Sequence, residues 1–311
     1  MSNGEFFFEK PETATVVISS YNQHEYISQC LDSILSQSVS FKYDIIISDD
    51  NSTDGSRDVI MDYMDRYPDV IIVNFNKTNL GATGNYFVAH GMATGDIIFH
   101  MDGDDVLLPG KMQAQFDIFH NNDDVNVCFH RAQYFNDSGD KLSETGSLNL
   151  SKVHFFCFND LARWGTIAVH SSYAFRRRAR SLLEPKRIYM EWYFAMNALK
   201  NGGRGAYLND TYVKYRKNDN GDAYSGSRLG RIKAYNAYIN DLYEMFSYES
   251  IREDIISNAI VSLAGMIRYN KYINYRFLIF IIKHIKYFNV MKILETLNVR
   301  RSISPQRRVF K

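Results

Sequence analysis

The chain has 311 residues, 45% of them hydrophobic and 23% charged, with a formal net charge of +1. That is chain enough for a large single domain, or for one domain with a substantial appendage, at ordinary soluble globular composition. Cys30, Cys128 and Cys157 lack metal-site or redox-motif spacing, no apolar run nears the ~20 residues of a membrane-spanning helix, and no basic stretch followed by an apolar one opens the chain. A disulfide scaffold, a membrane span and a secretory signal are therefore not expected; a reducing, cytoplasmic compartment is.

The first hundred residues alternate between two periodicities. Thr13 to Ser19 is a β-branched run that predicts a buried strand, broken at Ser20-Tyr21-Asn22-Gln23. Tyr26, Ile27, Cys30, Leu31, Ile34 and Leu35 then recur at helical spacing. Tyr43 to Ser48 predicts a second strand, ending in Asp49-Asp50 and a run of turn formers and helix caps through Ser56. The next helix turns Val59, Ile60, Tyr63 and Met64 inward and stops at Pro68. A third strand is expected over Val70 to Phe75, a loop over Asn79 to Asn85 opening a helix through Met92, and a strand over Asp96 to Met101. This order predicts an α/β fold, a mainly parallel sheet flanked by helices. Ligands bind such sheets at the C-terminal strand ends, where Ser20-Tyr21-Asn22, Asp49-Asp50 and Asp102 to Asp105 all fall. No Gly-x-Gly-x-x-Gly or Gly-Lys-Ser/Thr fingerprint occurs.

The stretch Ile97 to Asp105 is an apolar strand tipped by Asp102, Asp104 and Asp105. Three carboxylates repel one another unless a cation or water relieves them. Mg²⁺ and Mn²⁺ take such oxygen ligands and keep places for phosphates. Gly103 would let a ligand approach the backbone. The alternative is an acidic turn capping the next helix.

These residues resemble the inverting glycosyltransferases of family 2, which have the GT-A fold. The resemblance is carried by Val17 to Asn22, Cys30 to Gln37, Ile47 to Ser56, Asn79-Leu80-Gly81, Thr94 to Ile98 leading into Asp102 to Asp105, and Pro109 to Gln115. It implies a nucleotide-sugar site with Ser20, Tyr21, Asn22 and Asn79 around the nucleotide. Asp50 would accept from the base, most simply uracil, and Asp102 and Gly103 would lie near the ribose and diphosphate. Asp104 would ligate Mn²⁺ or Mg²⁺.

In the second half, Val125 to His130 predicts a strand, and Asn136 to Asp140 a turn within an antiparallel pair. Trp164 to Arg176 resembles the family's acceptor-side strand, with His170 able to face a sugar. Inverting transfer needs one general base for the acceptor hydroxyl. The resemblance implies an acid at the start of the following helix, where Glu191 stands in place of the usual Asp. Trp192 beside it would shape the acceptor pocket or belong to the core. Tyr207 to Asn218 resembles the family's Tyr-Arg-x-His segment with Asn218 replacing His, so metal coordination beyond Asp104 stays open. Arg216 would contact phosphate or pair with an acid, and Asp219 to Arg228 would form a lid.

The expected organisation is a GT-A domain over 1–228, its nucleotide-sugar half about 12–115 and its acceptor half about 116–228. A helical, basic C-terminal region occupies 229–311. From Met266 on, 11 Lys/Arg face one acid, Glu295, against 25 Lys/Arg and 34 Asp/Glu before it. Phe277, Phe280, Ile281, His284, Ile285 and Phe288 form a helical stripe between Arg276, Lys283 and Lys286. Two readings stay open: an interfacial helix on an anionic membrane, or an appendage packed on the body or a second subunit. The Arg300-Arg301 and Arg307-Arg308 pairs add to surface attraction, and no nucleic-acid module accompanies the charge. The expected function is inverting transfer of a sugar from a nucleotide donor, UDP-linked by preference. The acceptor would be a hydroxyl of a glycan or lipid-linked oligosaccharide, as in surface polysaccharide synthesis. The alternative is a non-catalytic nucleotide-sugar-binding protein on a degenerate transferase fold.

Overall fold

The structure, a computed structural model, describes residues 10–148, 151–180, 182, 187, 189–217, 228–270, 273–304 and 306–307. Strands β1 (Thr13–Ser20), β2 (Lys42–Asp49), β3 (Ile71–Phe75) and β4 (Ile97–Asp102) alternate with helices α1 (Ile27–Leu35), α2 (Ser56–Arg66) and α3 (Gly81–Gly91). Their ladders are all parallel, β1 lying between β2 and β4. A strand paired on both edges and covered on both faces must be apolar throughout. Accordingly Val16, Val17 and Ile18 are fully buried. Helix α1 buries the predicted stripe Ile27, Cys30, Leu31 and Ile34 against this sheet. A Cβ at Gly95 would collide with the backbone of Ala14, so only glycine lets the chain enter β4 this close to β1.

Two elements differ from expectation. Helix α3 starts at Gly81, so the predicted loop over Asn79 to Asn85 is mostly helix, and Asn85 is buried. Its side-chain amide donates to the carbonyl of Ser48 (2.9 Å) and its oxygen accepts from Asn76 (3.0 Å), bonds that fix the turn as helix. The segment Trp164 to Arg176 is strand only at β9 (Ala174–Arg176). Trp164 closes helix α5 (Phe158–Trp164), Gly165 has φ +76°, and a 3-10 turn occupies His170–Ser172.

The rest of the sheet is mixed. After β5 (Val106–Leu107) and helix α4 (Lys111–Asn121) come β6 (Val125–Phe135), β7 (Lys141–Glu144) and β8 (Val153–Phe156). Helix α6 (Trp192–Leu199) leads to the long β10 (Arg204–Arg216). With β11 (Gln306–Arg307), the sheet runs β11-β7-β6-β9-β4-β1-β2-β3, and β10 lies alongside β6, β5 and β8. β9 is antiparallel to both β4 and β6 and joins the two halves. The antiparallel β6/β7 pair is present as predicted.

Helices α7 (Arg228–Met245), α8 (Arg252–Gly265), α9 (Tyr275–Lys283) and α10 (Val290–Ile303) form the C-terminal region. They share one apolar core with the acceptor half, in which Trp164, Tyr173 and Trp192 meet Tyr238, Ile256, Phe277, Phe280 and Ile303. At its start the stripe packs on the body, one of its two expected readings: Phe277 and Phe280 are fully buried, because the body offers an apolar surface for them. The other side of α9 is exposed at Ile279 and Ile282, and the far end of the stripe at Ile285 and Phe288, with Met291 beyond it, is exposed as well. Arg300 is not free for surface attraction either; it donates to the Trp164 carbonyl, Ser262 Oγ and Asn258 Oδ1. Among the described residues, no helix is long and apolar enough to cross a membrane.

Candidate active site

The strand ends gather the acids as the alternation requires. Asp50, just past β2, is buried, and its Oδ1 accepts from Asn76 Nδ2 (3.0 Å) and the Leu80 N–H (2.8 Å), which leaves Oδ2 outside these bonds. Ser20 is buried at the tip of β1 with an unpartnered hydroxyl, while Tyr21 beside it is exposed. Asn22 stands at φ +50° and ties two loops together: its N–H donates to Ser52 Oγ and its Oδ1 accepts from the Thr53 N–H. Asn79 accepts from the Gly81 N–H and so caps the start of α3.

At the end of β4, Asp102 projects on the same face as His100, two residues earlier. His100 Nε2 lies 3.2 Å from Asp102 Oδ1, and Ser171 from the 3-10 turn donates to Oδ2 at 3.4 Å while accepting the Asp102 N–H at 3.0 Å. Burial pushes this carboxyl up, but the His100 hydrogen bond, His170 and Ser171 outweigh it and hold it at about 2. Asp104 is pushed up to about 6 by burial and by Asp102. Asp105 is raised well above the usual range by burial, Asp104 and Asp102, and its Oδ2 is buried without a partner. Two crowded acids that resist ionising, and an orphaned carboxylate oxygen, are what a site for a hard divalent cation looks like before the cation enters. His100, Asp102 and His170 also bring one ligand atom each within 4.8 Å of one another.

His170 reaches this cluster from the acceptor half. Its ring stacks on His100 at 3.7 Å, its Nδ1 is 3.9 Å from Asp102, and its Nε2 has no partner. Glu191 sits at the N-terminus of α6, where its side chain makes no cap bond to the first turn. Its carboxyl is raised by burial and further by Asp102. Tyr215, which sequence reasoning missed, lies among these acids: burial and the charges of Asp105, Asp102, Asp104 and Glu191 all raise its phenol. A cavity of about 400 Å³ touches Val169 and Met190, the neighbours of His170 and Glu191, and reaches Tyr235, Tyr238 and Ile303 of the C-terminal region.

Three expected site residues are engaged elsewhere. Arg216 is buried with every guanidinium nitrogen committed: Nε to the Asp104 carbonyl (2.9 Å), Nη1 to Asp137 (3.2 Å) and Nη2 to Gln29 (2.8 Å). It staples the acidic loop to β10 and does not reach out to a phosphate. Trp192 is fully buried and donates to the Leu161 carbonyl, so it is core and not pocket wall. At Gly103 the space a Cβ would fill holds Gln23 Oε1, so the glycine lets that side chain pack against the acidic loop. Asn218 and the lid stretch from Asp219 lie outside the described residues, apart from Arg228, which opens α7.

A mainly parallel sheet with acids at its strand tips, joined by β9 to a mixed acceptor-side sheet, defines a GT-A nucleotide-sugar transferase architecture. The family model for Glycosyl transferase family 2 matches residues 15–183, and the chain belongs to that family. An uncharacterized glycosyltransferase of Nostoc sp. (strain PCC 7120) is 35% identical over 154 residues, 46% of this chain and 47% of that one, so the chain spans about half the length of this curated relative. S. aureus TarS 1–349 in complex with UDP-GlcNAc shares the fold with a TM-score of 0.54 at 16% identity, over 94% of this chain and 91% of that one. The mannosyltransferase PcManGT from Pyrobaculum calidifontis, in complex with GDP-Man and Mn²⁺, shares it with a TM-score of 0.54 at 14% identity, over 94% and 86%.

Proposed function

We propose that the chain transfers a sugar, with inversion, from a UDP-linked donor to a hydroxyl of a glycan or lipid-linked oligosaccharide, as in surface polysaccharide synthesis. The observation that carries this reading is Glu191: a carboxylate at the start of α6, raised by burial and by the charge of Asp102. A general base works best with its pKa moved toward the operating pH, and burial with a like charge does that. Glu191 takes the proton of the acceptor hydroxyl as its oxygen attacks the anomeric carbon opposite the leaving nucleoside diphosphate. Asp50 binds the base through its remaining oxygen, Asp102 binds the ribose, and Ser20 and Tyr21 line the nucleotide. His170, at the seam of the two halves, orients the acceptor.

Asp104 holds Mn²⁺ or Mg²⁺, which fits its hard oxygen donors and their mutual repulsion. When bound, the cation neutralises charge on the diphosphate. The complexes of fold relatives with UDP-GlcNAc and with GDP-Man and Mn²⁺ support a nucleotide-sugar donor and a divalent cation. The apolar face over Ile279, Ile282, Ile285, Phe288 and Met291, set between Arg276, Lys283 and Lys286, supports peripheral contact with an anionic membrane, where lipid-linked acceptors reside.

A thermal-shift screen of nucleotide sugars and free nucleotides, each with Mn²⁺ and with EDTA, tests the donor. Stabilisation by one UDP-sugar only with metal is expected. A shift with no nucleotide under either condition overturns the reading.

A further inference from the structure

His100, Asp102 and His170 sit close enough to bridge a cation, yet the hydrogen bonds behind them fix a different role. Arg180 Nη1 lies 2.5 Å from His90 Nδ1, His90 Nε2 lies 2.9 Å from His100 Nδ1, and His100 Nε2 lies 3.2 Å from Asp102 Oδ1. A guanidinium has only hydrogens to give, so His90 Nδ1 must be the bare nitrogen. A neutral His90 then carries its proton on Nε2 and gives it to His100 Nδ1. His100, neutral in turn, carries its proton on Nε2 and points it at Asp102. Neither nitrogen of His100 is left for a metal. Burial, with Arg180 and the neighbouring imidazoles, holds His90 well below its usual range, and burial lowers His100 against the pull of Asp102, directions that favour the neutral rings this hydrogen-bond chain requires.

We propose that Arg180, His90 and His100 form an internal relay of positioning residues that fixes the carboxylate of Asp102 in the orientation that receives the donor. The relay crosses three chain segments: the residues after the Arg177–Ala179 turn, α3 and β4. Aromatic packing locks the ring planes, Tyr86 lying on His90 at 4.1 Å and His170 on His100 at 3.7 Å. Arg180 Nη2 is itself anchored on Tyr86 Oη at 2.6 Å. With Ser171 on Oδ2, both oxygens of Asp102 are held, while its side chain stays about one third exposed. A carboxylate fixed before the ligand arrives spares the cost of ordering it on binding.

This inference rests on Asp102 facing the donor, and its two tests separate the relay from that reading. The first is nitrogen NMR of the full chain labelled at histidine, with Arg180→Met as comparison. His90 and His100 are expected as neutral Nε2–H tautomers, and Arg180→Met is expected to release His100 into a mixture. His100 found as the Nδ1–H tautomer, or unmoved by Arg180→Met, overturns the relay. The second is titration with UDP and Mn²⁺. His100→Leu is expected to weaken UDP binding about tenfold or more, the worth of a hydrogen bond to a charged group. His100→Gln, whose amide can donate from the same place, is expected to restore most of it. Equal losses in both variants reduce His100 to packing and overturn the positioning role. A wild-type chain that binds neither UDP nor GDP sinks the donor reading by itself, while the tautomer spectra still decide the relay.

Discussion

Replacing Glu191 with Gln separates chemistry from stability, because the two should move in opposite directions. The amide keeps the shape of the side chain and removes the base. Turnover is expected to fall by roughly 10²–10⁴, the usual worth of a general base, which at 1.36 kcal/mol per tenfold is about 3–5 kcal/mol of barrier. Donor binding should persist, since the proposed nucleotide contacts belong to Asp50, Asp102, Ser20 and Tyr21. Stability depends on the carboxyl being raised by burial and by Asp102. An acid whose folded pKa is raised binds its proton more tightly folded than unfolded. It therefore favours the fold below its unfolded pKa and loses that contribution as pH rises through the folded value. At neutral pH the ionised Glu191 is a cost that Gln removes. The variant should melt higher than wild type at pH 7, and the gap should close toward pH 4. Turnover by release of nucleoside diphosphate, with melting curves at both pH values, checks the pair. Near-normal turnover moves the base elsewhere, and a lower melting temperature at pH 7 refutes the electrostatic argument.

Metal binding should compete with protons at Asp104, which is pushed up to about 6. Mn²⁺ affinity, read by calorimetry, is expected to fall as pH drops through about 6, and Asp104→Ala should abolish metal-dependent transfer while leaving the melt cooperative; metal-dependent turnover in that variant would falsify the assignment. Arg216→Met removes two partly buried hydrogen bonds, to Gln29 and the Asp104 carbonyl, with little added from the half-exposed Asp137. At about 1.5–3 kcal/mol each, the melting temperature should drop by about 10 °C, and an unchanged melt would return Arg216 to a ligand-binding role. Sedimentation with vesicles containing an anionic lipid should capture the protein at low salt and release it at high salt. Ile282→Glu with Phe288→Glu should abolish capture, and no capture of wild type at low salt rejects membrane contact.

The parallel half was legible because period and chemistry agree there: β-branched runs for β1 and β2, i, i+3, i+4 stripes for α1, and acids where strands end. The position of the acids was legible: Asp50 and Asp102 to Asp105 fall at strand ends, as the alternation of strands and helices requires. The site was less legible where a polar residue serves the scaffold. Arg216 reads in sequence either as a phosphate contact or as the partner of an acid, and its bonds to α1, the acidic loop and Asp137 are visible only in the fold. The relay had one visible signal, His100 two residues before Asp102 on the same strand face. His90 and Arg180 lie 10 and 80 residues away from His100 and meet it only through packing. The C-terminal stripe left two readings open because α9 is apolar on both sides, and hydrophobic period cannot say which side the body covers.

The same packing bears on the boundary drawn at residue 228. Without the C-terminal helices, Trp192 loses its edge-to-face partner Tyr238 (5.3 Å), and the carbonyls of Ala162 and Trp164 lose Asn258 and Arg300. Arg163, nearly buried, loses Asp254 at 2.7 Å, and breaking a buried pair from one side costs about 3–5 kcal/mol. Each exposed core aromatic adds about 1.5–3 kcal/mol. A domain is stable by only about 5–15 kcal/mol in all, so these losses consume the margin. A fragment ending at 228 is expected to aggregate, or to melt without cooperativity while its nucleotide half keeps some protection from hydrogen exchange. A monomeric fragment with the full chain's melting temperature would show that the helices are dispensable to the fold. In that case their shared core serves the acceptor side alone.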